Sequence, residues 1–218
     1  MDIEFIEGSP VAIIDGLMSE EDCKALYDFA ISEKQKTQGG YDSSDYSSED
    51  FLHLKIDGDG YHLEELVEFW GSKNVFAHTA EDVHIRELVV ELNRVSTEAL
   101  KLYLDELNPD SKEFDENDLH YGPIHVYTPG HKFETHVDCF EYALVFYLNN
   151  SSEFEGGELV YDGIETKILQ KPGRIVIAPS NMPHQVLEVT KGIRCSMTTF
   201  LSTSKHMENN PELVNLKS

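Results

Sequence analysis

The alternation of apolar and polar positions divides the chain into a helical first part and a strand-rich second part. Two short apolar runs near the start, IEFI and VAII, predict one or two strands. A helix is predicted next, because Ser19 and Asp22 have the spacing of a capping box and the apolar residues after them recur at helical spacing. Its apolar positions are Cys23, Leu26, Phe29 and Ala30.

A second and longer helix is predicted over residues 79–107, with Thr79 as its N-cap. Its buried stripe consists of Val83, Leu88, Leu92, Val95, Leu100 and Leu104. Residues 37–60, before this helix, are rich in Gly, Ser and Asp, which predicts a long, mobile loop; a short helix, HLEELVEFW, follows the loop. Because long loops often serve as lids, this loop is a candidate substrate lid that would close through Tyr41, Tyr46 and Phe51.

The rest of the chain consists of short apolar segments broken by Gly, Pro and Asn. The predicted strands are IHVY, YALVFYLN, GELVY, RIVIAP, HQVLEV and IRCSMTTFL. Helices followed by strands predict a barrel or sandwich backed by helices. A length of 218 residues fits a single domain over 1–218. We expect helical support in 1–120, a strand-rich core in 121–202 and a loosely attached tail in 203–218.

Composition narrows the class of protein and its partners. The chain has 17 Lys and Arg against 41 Asp and Glu, a net charge of −24, so neither nucleic acid nor an anionic membrane is expected as a partner. This negative charge would favour a cationic partner. Because the acidic residues are spread along the whole chain, a role in solubility explains the charge better. No apolar run approaches the ~20 residues that span a bilayer, and the N-terminus lacks the signal-peptide pattern. Three widely spaced cysteines fit a reducing compartment, so we predict a cytoplasmic protein of undetermined oligomeric state.

His136 and Asp138 carry the first candidate chemistry. They lie two positions apart in ETHVDC, where we expect a strand to begin, and such positions share one face of a strand. His184, at the start of HQVLEV, would supply a third ligand. Two histidines and one carboxylate form the facial triad of non-haem Fe(II) oxygenases, which leaves positions open for a cosubstrate and O2. In a chain with ten histidines, a surface His beside an acid is the commoner explanation of this spacing alone.

Arg194 adds a second signal. Alternation in IRCSMTTF places four residues on the inward face of a strand: Arg194, Ser196, Thr198 and Phe200. A buried arginine is costly unless it is paired, and a ligand carboxylate would provide a bidentate partner. Tyr147 is predicted to point inward from the neighbouring YALVFYLN, and Tyr127 shares a face with His125. Either tyrosine by itself would fit ordinary core packing.

With these residues the chain resembles the 2-oxoglutarate- and Fe(II)-dependent dioxygenases, in particular their prolyl 4-hydroxylase-like branch. The resemblance covers about residues 124–201 and rests on YTPGHKFETHVD, on FYLNN followed by FEGGELVY, and on KPGRIVIAPSNMPHQVLEVTKGIRCSMTTF. VAIIDGLMSEEDCKALYDFA also resembles the opening strand and helix of these enzymes. The resemblance implies an α+β fold: a double-stranded β-helix, or jelly roll, that forms a catalytic core over 121–202 and is backed by the N-terminal helices.

The resemblance also implies a role for each candidate residue. The family's metal ligands fall on His136, Asp138 and His184. The position that binds the distal carboxylate of 2-oxoglutarate falls on Arg194, with Tyr147 beside it. The positions near the keto-acid end fall on Tyr127 and Thr198.

The implied reaction is hydroxylation coupled to oxidative decarboxylation of 2-oxoglutarate to succinate. The implied cofactors are Fe(II), 2-oxoglutarate and O2, and ascorbate is an open addition. A peptidyl proline is the family's default substrate, and a hydroxylase of free amino acids or other small molecules is the alternative. Asp138 argues against the superfamily's halogenases, which lack this carboxylate. A non-catalytic cupin-like metal-binding protein would leave Arg194 and Tyr147 unexplained.

Overall fold

The computed structural model describes residues 3–36, 56–57, 60–61, 73–75, 83–107, 119–138 and 140–203. In chain order the described helices and strands are β1 (Ile3–Phe5), β2 (Ala12–Ile14), α1 (Glu20–Lys36), β3 (Ile56–Asp57), β4 (Gly60–Tyr61), β5 (Lys73–Val75), α2 (Val83–Leu107), β6 (Leu119–Tyr127), β7 (Phe133–His136), β8 (Tyr142–Tyr147), β9 (Phe154–Gly156), β10 (Leu159–Tyr161), β11 (Ile175–Pro179), β12 (His184–Val186), β13 (Val189–Gly192) and β14 (Arg194–Leu201).

Three of the predicted features lie largely or wholly outside the described residues. Only the end of the predicted loop 37–60 is described, where β3 pairs with β4. The predicted helix HLEELVEFW lies outside the described residues, and so does the tail beyond Thr203. The interpretations of these segments as lid, helix and loose tail stay predictions.

The strands form one large antiparallel sheet and smaller ones. The main sheet has the strand order β1-β2-β11-β8-β14-β6-β5, and the small sheet has the order β10-β12-β7. A further pair, β13-β9, forms a separate two-stranded sheet. Every pairing between these strands is antiparallel. In the described residues, two α-helices with mostly antiparallel sheets confirm the predicted α+β jelly roll.

The main sheet is apolar on both faces, as the alternation in YALVFY predicts. Its outer face, which includes Leu144 and Phe146 of β8, packs in one core with residues of both helices, among them Leu26 and Leu100. Its inner face packs in a second core with the small sheet. That inner core joins Val145 and Tyr147 of β8 to Leu159, Tyr161 and Val186. The site residues therefore project into a space between two sheets, while the helices cover the other side.

The described parts of both helices follow the predicted pattern with one error, and the predicted N-cap of α2, Thr79, lies outside the described residues. Ser19 caps α1: its hydroxyl accepts a hydrogen bond from the Asp22 N–H at 3.0 Å and donates one to the Asp22 carboxylate. The prediction of Val83 as a buried position of α2 is wrong, because it is the first helical residue and is 57% exposed. The buried stripe begins at Ile85 instead. Neither described helix is long and apolar enough to cross a membrane.

Candidate metal centre and adjoining pocket

His136, Asp138 and His184 lie together against the small sheet. His184 of β12 pairs directly with His136 of β7. The Nε2 atom of His136 is 3.7 Å from Oδ1 of Asp138, and the Nε2 atom of His184 is 3.5 Å from Oδ2 of the same carboxylate. One ligand atom from each residue lies within 4.8 Å of the other two. The structure thus brings the three residues together at a spacing that suits a single metal ion.

The prediction that a strand begins at this point is wrong: β7 ends at His136. Asp138 lies beyond the strand, and its backbone N–H donates a hydrogen bond to the Ser180 carbonyl at 2.9 Å. Ser180 follows β11, so a contact with a distant part of the chain holds Asp138 beside His136. Alternation within one strand does not explain the position of this carboxylate.

Backbone carbonyls orient both imidazoles in the same way. Nδ1 of His136 donates to the Glu134 carbonyl at 2.7 Å, and Nδ1 of His184 donates to the Met182 carbonyl at 2.9 Å. A carbonyl oxygen can only accept, so each Nδ1 carries a hydrogen and each neutral ring keeps a lone pair on Nε2. Both Nε2 atoms face the Asp138 carboxylate, so the three potential donor atoms converge on one place. The hydrogen bond from Nδ1 to a backbone carbonyl is the arrangement usual for metal-binding histidines.

Burial disfavours the charged forms of Asp138 and His136. It raises the pKa of the Asp138 carboxyl, against the opposing effect of the two imidazoles. It lowers the pKa of His136, which leaves the neutral ring that can bind a metal. Two imidazole nitrogens and one carboxylate on a single side of an ion are a donor set that suits Fe(II). The residues present therefore fit the metal that the resemblance implies.

Arg194 lies buried on the inner face of the main sheet, with 1% of its surface exposed. It pairs with Tyr127 across β14 and β6. Its Cζ atom is 4.9 Å from the ring centre of Tyr127 and 5.7 Å from that of Tyr147. One terminal nitrogen donates to the Ser196 hydroxyl at 2.9 Å, whereas Nε is buried without a hydrogen-bond partner among the described residues. A buried cation with an unused donor is the arrangement that an incoming carboxylate would complete.

The other predicted pocket residues lie around this guanidinium. Burial raises the pKa of Tyr147, while the charge of Arg194 and a hydrogen bond with it act in the opposite direction. Oγ1 of Thr198 is 3.3 Å from Nε2 of His125, and the ring centroids of His125 and Tyr127 are 6.2 Å apart. Burial, with the charge of Arg194, lowers the pKa of His125 to about 3, so this ring is neutral at ordinary pH. Tyr127, Tyr147, Thr198 and Arg194 thus come from three neighbouring strands of one sheet face.

Sequence reasoning missed several residues close to these groups. Tyr161 pairs with His184 in the small sheet, with ring centroids 5.4 Å apart, and alternation in GELVY offered a signal for it. Alternation predicted Ser196 on the same face as Arg194, but its role as acceptor of a hydrogen bond from the guanidinium was missed. Asn149 and Gln170 form a buried polar network beside β14. Gln170 lies in an irregular segment, where periodicity gives no signal.

Comparisons with known proteins were made for the sequence and for the fold. Residues 122–202 match the model of the 2OG-Fe(II) oxygenase superfamily. A comparison with curated protein sequences gave no match.

Solved prolyl hydroxylases share the fold over nearly the whole chain. A Pseudomonas putida prolyl-4-hydroxylase superposes with a TM-score of 0.58 at 16% identity, covering 91% of this chain and 95% of that one. The viral collagen prolyl hydroxylase of Paramecium Bursaria Chlorella virus-1, solved as a 2OG complex, gives 0.56 at 16% identity, covering 92% and 99%. A Trichoplax adhaerens prolyl hydroxylase, solved with a peptide fragment of the hypoxia inducible factor oxygen degradation domain, gives 0.55 at 14% identity, covering 93% and 88%.

Proposed function

We propose that this chain hydroxylates a prolyl residue of a peptide or protein. It is a 2-oxoglutarate- and Fe(II)-dependent dioxygenase, with a superfamily domain over residues 122–202 and a prolyl 4-hydroxylase-like fold. The observation that supports this activity most is the combination of two features in one space between sheets. One is the His-Asp-His cluster, and the other is a buried guanidinium whose Nε has no hydrogen-bond partner among the described residues. A cupin-like metal-binding protein would have no use for the second feature.

His136, Asp138 and His184 would hold the metal. When bound with 2-oxoglutarate, Fe(II) activates O2 for hydroxylation and for oxidative decarboxylation of the keto acid to succinate. The carbonyls of Glu134 and Met182 fix the orientation of both rings and would keep each Nε2 available to bind the ion. Asp138 would supply the only negative charge among the three protein ligands, which offsets part of the charge of the cation.

Arg194 would bind the distal carboxylate of 2-oxoglutarate through its planar fork, using the Nε that has no partner among the described residues. Tyr147 would add a hydroxyl donor to the same carboxylate. The rings of Tyr127 and Tyr147 lie against the guanidinium and exclude water from it, which strengthens the ion pair. Thr198 would lie nearer the keto-acid end, beside His125.

A half-buried aromatic pair supports a cyclic apolar group as the part of the substrate that reaches the metal. The rings of Phe140 and Phe200 stack with centroids 4.4 Å apart. Phe140 is two residues after Asp138, and Phe200 is two residues after Thr198 on β14. A flat apolar surface on residues so close in the chain to the proposed ligand Asp138 would suit a prolyl ring. The similar Trichoplax adhaerens enzyme was solved with a peptide, which supports a peptide rather than a free amino acid. A cytoplasmic location fits the free, buried thiol of Cys23.

The substrate is tested by mass spectrometry on candidate peptides and free amino acids, incubated with Fe(II) and 2-oxoglutarate, with and without ascorbate. We expect a +16 Da product on proline-containing peptides, because one oxygen atom is inserted. The matched control is each peptide with its proline replaced by alanine. If +16 Da products formed on free amino acids and on none of the peptides, the protein would be a small-molecule hydroxylase instead. Bound iron without any succinate would favour the cupin-like protein.

Gly157 provides a test of the pocket that substitutes none of the proposed metal ligands or cosubstrate residues. Its φ is +69°, and a Cβ there would lie 2.8 Å from Cγ2 of Val189 and 3.0 Å from Cδ of Arg194. We expect Gly157→Ala to displace the Arg194 side chain and to raise severalfold the 2-oxoglutarate concentration needed for half-maximal succinate release. Gly163→Ala is the control, since it has a φ of +75° but no heavy atom within 4 Å of the added Cβ. Both variants should lose stability through backbone strain of about 1–3 kcal/mol. Equal 2-oxoglutarate dependence in the two would contradict the prediction.

A further inference from the structure

The backbone on both sides of Arg194 is held by the side chain of one buried residue, Asn149. Its Nδ2 donates to the Ile193 carbonyl at 2.8 Å, and its Oδ1 accepts from the Cys195 N–H at 2.9 Å. The regular pairing of β8 with β14 stops at Ser196 opposite Tyr147, just short of Arg194. Beyond that point the Leu148 N–H donates to the Cys195 carbonyl at 3.2 Å, and β6 stays paired with Arg194 on the other side. The Asn149 amide adds a hydrogen bond on each side of Arg194 where the regular pairing with β8 has ended.

Gln170 determines which way the Asn149 amide points. Its Nε2 donates to Asn149 Oδ1 at 2.7 Å and to the Cys195 carbonyl at 3.0 Å. Two donors converge on Asn149 Oδ1, so this atom must be the oxygen, and the nitrogen must face Ile193. Asn149 is 3% exposed and Gln170 is 5% exposed, which shields these hydrogen bonds from competition with water.

We propose that Asn149 and Gln170 are positioning residues for Arg194 and determine the affinity for 2-oxoglutarate without contacting it. This inference rests on the proposed role of Arg194. None of the hydrogen bonds of the network involves the guanidinium or a candidate metal ligand. They act on the main chain from which the arginine side chain starts. A bidentate contact between a guanidinium and a carboxylate tolerates little displacement of the guanidinium. A more mobile backbone at Arg194 would therefore weaken its contact with the carboxylate of 2-oxoglutarate.

The test uses Asn149→Ala and the milder Gln170→Met, which keeps the length of the side chain and removes its donors. Binding of 2-oxoglutarate to the Fe(II)-loaded full chain is measured by anaerobic calorimetry, beside Fe(II) affinity and the kcat and KM of succinate release. We expect the Kd for 2-oxoglutarate to rise about tenfold in Asn149→Ala, the range for one lost hydrogen bond, and about threefold in Gln170→Met. Fe(II) affinity and kcat at saturating 2-oxoglutarate should stay within about twofold of wild type.

Leu92→Ala is the control for general destabilisation, because Leu92 is 1% exposed in α2 and takes part only in the outer core. It should lower Tm and leave the Kd for 2-oxoglutarate unchanged. The proposal would be overturned if folded Gln170→Met and Asn149→Ala bound 2-oxoglutarate with the wild-type Kd. It would also be overturned if both variants lost affinity for Fe(II) and for 2-oxoglutarate in parallel. If Asn149→Ala did not fold, the Kd of Gln170→Met would decide. Failure of wild-type protein to bind 2-oxoglutarate would count against the proposed function instead, which separates the two.

Discussion

Asp138→Ala is expected to abolish succinate release and hydroxylation. The substitution would leave two neutral imidazoles to hold a divalent ion, without the one carboxylate that lies 3.5–3.7 Å from their Nε2 atoms. Loss of a group that merely orients a metal ligand costs about 10- to 100-fold in affinity or activity, so we expect loss of the ligand itself to exceed ~100-fold. The measurements are iron content after anaerobic loading and the initial rate of succinate formation.

Asp162→Ala is the matched control for this substitution. Asp162 is an exposed acid in the turn that follows Tyr161 of β10, and it lies outside the His-Asp-His cluster. It removes the same charge from the protein and should keep iron content and rate near those of wild type. Full activity in Asp138→Ala would show that this carboxylate is not a ligand. Equal losses in the two variants would point to a general effect of charge.

Arg194→Ala is expected to weaken 2-oxoglutarate binding and to leave Fe(II) binding nearly intact. A hydrogen bond to a charged group contributes about 1.5–3 kcal/mol, which corresponds to about ten- to a hundredfold in affinity. Tyr147→Phe should lose less, since it removes one neutral donor and keeps the guanidinium. Arg194→Lys should fall between the two, because it keeps the charge and loses the fork.

These three variants are compared by the 2-oxoglutarate dependence of succinate release and by calorimetric Fe(II) binding. His184→Ala serves as the reference for loss of the metal. If Arg194→Ala lost iron as completely as His184→Ala, Arg194 would have a structural role. An unchanged 2-oxoglutarate dependence would likewise remove it from the cosubstrate pocket.

The sequence predicted the parts of the fold that depend on local alternation. The two faces of β8 and β14 follow from YALVFY and RCSMTTFL, and they place Phe146 and Cys195 in the outer core and Tyr147 in the inner one. The inward position of Arg194 follows from the same rule, together with the cost of burying an unpaired cation.

Features that depend on distant contacts could not be predicted in the same way. β7 reads FETH, in which a single apolar residue gives no alternation, and β9 and β13 are short strands that each end in glycine. The position of Asp138 depends on a hydrogen bond to Ser180, 42 residues away in the chain. The residues themselves suggested a metal triad and a carboxylate partner for Arg194, and the resemblance assigned the specific roles. These roles stay predictions until the variants above are measured.

The order of strands in the main sheet has a consequence for how the protein becomes active during synthesis. β14 is the last described strand in the chain, yet it lies in the middle of the sheet, between β8 and β6. Until it leaves the ribosome, β8 and β6 have no common partner and the outer core lacks Cys195, Met197 and Leu201. Contacts that span so much of the chain also slow folding. Because β14 begins at Arg194, the residue proposed to bind the cosubstrate arrives with the strand that completes the sheet. A chain that ends early would therefore be unable to finish the sheet and would also lack the cosubstrate residue.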